Sequence, residues 1–187
     1  GLWQPRRIVD DARVAAVAEL NDAARDQAQL QFQCPTYASC DEMFGKEKLD
    51  AAIIAVPDHL HRAPVVAAAR AGVPMLLEKP FAINMDDADT MVKAIRETGV
   101  ICAVEFSNRW SNPFVIGRER VREGQLGDIL STYAVLNDSV YVPTEMLSWA
   151  AKSSPAWFLM SHTADIVTWM TGKTIASVFA RGTRQYL

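Results

Sequence analysis

No apolar run in this 187-residue chain approaches the length of a membrane-spanning helix, about 20 residues. Charge of one sign is also lacking, since 22 acidic side chains against 19 basic ones leave a formal net charge of −3. That balance gives no electrostatic basis for binding nucleic acid or an anionic membrane surface. Cysteine is sparse. Cys34, Cys40 and Cys102 are odd in number and lack the spacing of a zinc site or a disulfide framework, so unpaired thiols in a reducing cytoplasm are expected. His59 and His61 form a close pair, but without a nearby third ligand they make a poor metal site. Internal repeats and low-complexity tracts are missing as well. What remains is a globular composition, 50% apolar, enough for one domain and part of another.

The informative stretch runs from Ala51 to Pro80. Ala51 to Val56 is a continuous apolar run bounded by Asp50 and Pro57, which predicts a strand buried on both faces. Leu60 to Arg70 reads as a helix with Gly72 as its C-terminal cap. Met75 to Leu77 is a second short strand, delivering Glu78, Lys79 and Pro80 at its carboxyl end. Strand, helix and strand make a βαβ unit, and ligands of such sheets sit at the carboxyl ends of the strands. Pro57, His61, Glu78 and Lys79 all fall on that edge.

Further along, Asn84 is placed to cap a helix whose first turn holds Asp86 and Asp87 and whose stop is Gly99. Val100 to Val104 predicts a strand, and Asn112-Pro113 predicts a cap and N1 proline for a helix ending at Gly124. Ile129 to Leu136 and Ile175 to Arg181 read as strands. Thr163 to Met170 reads as a helix stopped by Gly172.

Pro57-x-x-x-His61 at one strand end and Glu78-Lys79-Pro80 at the next resemble the sugar dehydrogenase family of glucose–fructose oxidoreductase and inositol dehydrogenase, the Gfo/Idh/MocA family. The resemblance continues through Arg109, Pro113, Gly124-Gln-Leu-Gly127 and His162-x-x-Asp165, and so covers nearly the whole chain. It implies an α/β fold with a doubly wound parallel sheet over residues 1–108, followed over 109–187 by the start of an α+β substrate domain. It also implies NAD as cofactor, with NADP second, and oxidation of a secondary hydroxyl on a sugar, polyol or related small molecule. Relatives of this family are often dimers or tetramers through the sheet of the second domain.

The family's fold opens on a strand and a Gly-x-Gly-x-x-Gly loop that cradles the pyrophosphate, and no such loop occurs in this sequence. Arg13 to Ala18 resembles the family's second strand, ending in Glu19, an acid that would bond ribose hydroxyls about 20 residues beyond the glycine loop. Counting back from Glu19 places the start of the chain at the first helix, Leu2 to Asp10, so truncation at both ends is the expectation. Asp22 to Gln31 and Asp41 to Leu49 read as the helices that follow Glu19.

By the same resemblance Lys79 lies beside nicotinamide and substrate alcohol, where a lysine whose pKa is lowered by desolvation assists removal of the hydroxyl proton. The alternative is a surface lysine paired with Glu78. Glu78, Pro57, His61, Pro80 and Arg109 are expected at the cofactor. His162 matches a histidine that contacts substrate and carries a proton. Asp165 is expected with His162 at the substrate, where it would orient the imidazole, unless it is simply a helix N-terminal acid. Here the chain departs from the family: Phe158 stands where an aspartate is usual, and Met160 where a glycine is. Two rival functions stay open: a non-catalytic relative kept for binding or assembly, and a lyase or isomerase holding NAD tightly.

Overall fold

The computed structural model describes residues 12–183, so the helix expected over Leu2 to Asp10 lies outside the described residues. The chain divides into two compact units between Ala103 and Val104, ahead of the boundary at Asn108 expected from the sequence.

In the first unit, strands β1 (Val17–Ala18) and β2 (Thr36–Tyr37) pair in parallel. A separate sheet carries β3 (Ala52–Ile54), β4 (Met75–Glu78) and β5 (Cys102–Glu105), whose last two residues fall past the unit boundary, in the order β3-β4-β5. β3 and β4 run parallel with Ile54 opposite Leu77. Helices α1 (Asp22–Phe32), α2 (Cys40–Lys46), α3 (Arg62–Arg70) and α4 (Met85–Thr98) connect them. This alternation is the α/β, Rossmann-type fold that the sequence predicts.

Local chemistry sets the helix ends. The Asn84 side chain accepts from the Asp87 N–H, which satisfies one of the otherwise unpaired donors of α4, and Gly99 closes that helix at φ 70°. At the end of α3, Gly72 adopts φ 71° while its N–H donates to Ala69 O and that of Val73 to Ala68 O. This double bond pattern is the Schellman stop, which a residue without Cβ adopts at least cost.

Helices α3 and α4 cover one face of the three-stranded sheet. Ile54, Met75 and Leu77 point into that layer against Val65, Ala68, Ala69 and Met91. Leu77, Met91 and Val65 are fully buried, each contributing about 1.5–3 kcal/mol by leaving water. β3 is not buried on both faces as expected: Ile53 is 67% exposed. The strand period of two sends Ile53 to the face opposite α3 and α4, and no element among the described residues covers it.

The second unit holds α5 (Asn112–Arg122), the short α6 (Pro155–Phe158) and α7 (Met160–Thr171). Ser111, not Asn112, occupies the cap position of α5, and Pro113 follows one residue later than expected. α5 meets α7 at Gly117, where an added Cβ would come within 2.8 Å of Met170 Cε. Arg118 stacks over the Trp169 ring at 4.3 Å and its Nε donates to Trp169 O at 3.1 Å. The strands expected over Ile129 to Leu136 and Ile175 to Arg181 do not form. A strand exists by pairing, and neither segment has a partner strand among the described residues. Leu130 and Tyr133 are each 93% exposed in consequence.

Candidate active site

At the carboxyl end of β4 the chain passes from Glu78 through Lys79 to Pro80, across a cis Lys79–Pro80 peptide bond. Glu78 and Lys79 are half-buried and Pro80 is buried. The Lys79 N–H donates to Glu78 Oε2 at 3.2 Å, so the acid folds back on its own strand end. After β3, Pro57 opens a single tight turn over Asp58–Leu60, closed by the Leu60 N–H on Pro57 O at 2.8 Å. His61 then enters α3 and is 1% exposed. Its Nδ1 lies 2.8 Å from Pro80 O and its Nε2 3.0 Å from Val56 O. Both ring nitrogens therefore face main-chain carbonyls, and the imidazole spans the ends of two neighbouring parallel strands. Pro57, His61, Glu78, Lys79 and Pro80 are thus gathered at one sheet edge, with His61 in the floor rather than on the surface.

Glu19 ends β1. Its N–H donates to Tyr37 O at 2.9 Å and its Oε1 accepts from the Asn21 N–H at 2.8 Å. The carboxylate is held at the strand's carboxyl end. Nearby, the Tyr37 hydroxyl donates to Glu47 Oε1 at 2.5 Å, which pushes the phenol up to about 12. The three cysteines are free, and burial raises the pKa of each.

In the second unit Arg109 and Asp165 meet. Arg109 Nε donates to Asp165 Oδ2 at 2.9 Å and Nη2 to Oδ1, which raises the pKa of the guanidinium despite partial burial. Asp165 thus anchors the Ser107–Trp110 turn to α7, and Arg109 is committed to that contact. His162 sits in the first turn of α7, its ring edge-on to Phe106 at 6.2 Å. It lines a cleft of about 480 Å³ with Asn108, Phe114, Tyr133 and Ile166. Phe158, in place of the family's aspartate, packs edge-on against Trp149 at 6.1 Å. The roles of Phe106, and of the Val56 and Pro80 carbonyls, carry no sequence signal: one is an ordinary half-buried aromatic and the others are backbone. No group of three or more His, Cys, Asp or Glu among the described residues is arranged to hold a metal ion.

Residues 3–106 match the model of the oxidoreductase family with an NAD-binding Rossmann fold, and residues 114–186 match the GFO/IDH/MocA C-terminal domain. The chain belongs to the Gfo/Idh/MocA family. It is 31% identical over 140 residues to 2,7-anhydro-N-acetylneuraminate hydratase of Escherichia coli (strain K12), covering 75% of this chain and 37% of that protein. It is 28% identical over 136 residues to scyllo-inositol 2-dehydrogenase (NAD(+)) of Bacillus subtilis (strain 168), covering 72% and 39%. A solved levoglucosan dehydrogenase in complex with NADH and levoglucosan superposes with a TM-score of 0.73 at 25% identity, over 86% of this chain and 45% of that one. The chain thus spans less than half the length of these relatives. NAD is the family's cofactor, and the residues here fit its two ends: the Glu19 carboxylate suits ribose hydroxyls, and the β4 terminus offers Lys79. No glycine-rich turn for the pyrophosphate occurs in the 187 residues.

Proposed function

We propose that this chain carries the cofactor-side machinery of a dehydrogenase acting on a secondary hydroxyl of a sugar, polyol or related small molecule. One observation carries the reading: β4 delivers Lys79 at the sheet edge between a folded-back Glu78 and a buried Pro80, tied to the core through His61. The bound nicotinamide would accept the hydride. The remaining tasks belong to the protein. Lys79 Nζ takes the hydroxyl proton, since an alcohol gives up hydride only as its O–H proton is removed. His162 is the second proton carrier, on a ring packed against Phe106. Pro57, Glu78 and Pro80 shape the nicotinamide end. Glu19 accepts the ribose hydroxyls and repels a 2′-phosphate, which selects NAD over NADP. Arg109 and Asp165 serve by holding the Ser107–Trp110 turn on α7 rather than by touching cofactor and substrate. Three free thiols suit a reducing cytoplasm, and a dimer or tetramer is the expected assembly of the whole protein.

A second reading has specific support. The E. coli relative is a hydratase, so lyase or hydratase chemistry with the cofactor returned unchanged is the rival. Fluorescence titration with NADH and NADPH tests the cofactor half: saturable binding favouring NADH supports the reading, and tighter NADPH binding sinks the role of Glu19. Net accumulation of NADH from a polyol distinguishes the dehydrogenase from the hydratase.

A further inference from the structure

We propose that His61 is a positioning residue for Lys79, acting through the Pro80 carbonyl oxygen rather than on the cofactor; this rests on the reading of Lys79 as the proton-handling group. Residues 79–83 lie outside every strand and helix, between the end of β4 and the Asn84 cap of α4. A lysine on such a segment keeps its place better when the backbone on both sides of it is tied down. On the far side from Glu78 the imidazole supplies a tie: Nδ1 is 2.8 Å from the oxygen of the residue that follows Lys79. The main chain that carries the ring is itself bonded. His61 O accepts from the Val65 N–H at 3.2 Å, opening a helix whose Val65, Ala68 and Ala69 are fully buried. Its other nitrogen lies 3.0 Å from Val56 O, so the ring sits between the ends of β3 and β4.

A ring at 1% exposure presents no atom to a ligand, which separates positioning from contact. Because a carbonyl only accepts, the Pro80 bond requires a proton on Nδ1, and Nε2 donates to Val56 O as well only in a doubly protonated ring.

The two nitrogens allow a discriminating test. The amide nitrogen of His61→Asn falls near the place of Nδ1 and keeps a donor for Pro80 O. That of His61→Gln falls near Nε2 and offers a donor to Val56 O alone. Two readouts follow the Lys79 segment without turnover: hydrogen exchange at the amides of Lys79, Phe81 and Ala82, and the acetylation rate of Lys79 Nζ by mass spectrometry. Lys93, 76% exposed on α4, is the internal reference. The expected result is about tenfold faster exchange and labelling in His61→Gln, with His61→Asn within about threefold of the parent. Equal effects of the two variants, or none, would overturn the proposal and leave His61 a core filler. Should both variants fail to fold, the nitrogen-15 NMR shifts of His61 in the parent decide: a protonated Nδ1 is expected, and a proton on Nε2 alone overturns it. Since no readout uses turnover, a chain inactive as a dehydrogenase would refute that reading without deciding this one.

Discussion

Arg109 and Asp165, 56 positions apart in sequence, form a two-point pair in which each carboxylate oxygen takes one guanidinium N–H. The Asp165 side chain is only 8% exposed while that of Arg109 is 39% exposed, so the pair lies between a surface bridge and a buried one. Removing the arginine strands a nearly buried carboxylate, whereas Asp165→Asn leaves a neutral amide that still hydrogen-bonds. We therefore expect Arg109→Ala to cost about 2 kcal/mol and Asp165→Asn about half of that, in urea unfolding. Arg109→Lys should recover little, because an ammonium cannot reproduce the planar two-point geometry. Equal stability of all four proteins would show that the pair contributes nothing.

Gly117 gives a prediction with a sign change. Alanine there gains about 0.5–1 kcal/mol of helix propensity, but its Cβ meets Met170 Cε at 2.8 Å. The obstacle is the tip of a flexible side chain, which moves aside at a comparable cost. Gly117→Ala alone should shift stability by less than about 1 kcal/mol. In a Met170→Ala background the same change should stabilise by about 0.5–1 kcal/mol relative to that background. Thermal or urea unfolding of the four-member cycle reads both values.

Tyr37 supplies the pH dependence. Its folded-state pKa, pushed up to about 12 by the bond to Glu47, lies above the ordinary value of 10.0. The folded chain holds the phenol proton more tightly than the unfolded chain does. The contribution is fully present below pH 10 and is lost as pH rises through about 12. Phenolate absorbance should show one late-titrating tyrosine, and Tyr37→Phe should remove that step. Persistence of the step in the variant would assign it to another tyrosine.

What was legible in the sequence was local. Asn84 and Gly99 bracket α4 because a cap acts on backbone three or four residues away, and Gly72 marks the end of α3 for the same reason. Glu78, Lys79 and Pro80 could be placed at a strand end because an apolar run of strand length ends just before them. The failures are non-local. Ile129 to Leu136 has a strand's composition, but composition cannot supply the partner that a ladder needs. The residues to which His61 is bound gave no signal, since it reaches backbone carbonyls, one of them nineteen positions away, and any residue carries a carbonyl. Asp165 reads equally well as a helix N-terminal acid or a histidine's partner until Arg109 is seen beside it.

In the proposed reaction Lys79 takes the proton as hydride leaves. The direct test is NADH formation by the parent and by Lys79→Ala over a panel of inositols, sugars and other polyols, with NADH affinity measured alongside. We expect turnover in the parent, kcat lower by about 10²–10⁴-fold in Lys79→Ala, and NADH affinity changed far less than kcat. Unchanged kcat in Lys79→Ala, on a substrate that the parent oxidises, would contradict that role of Lys79.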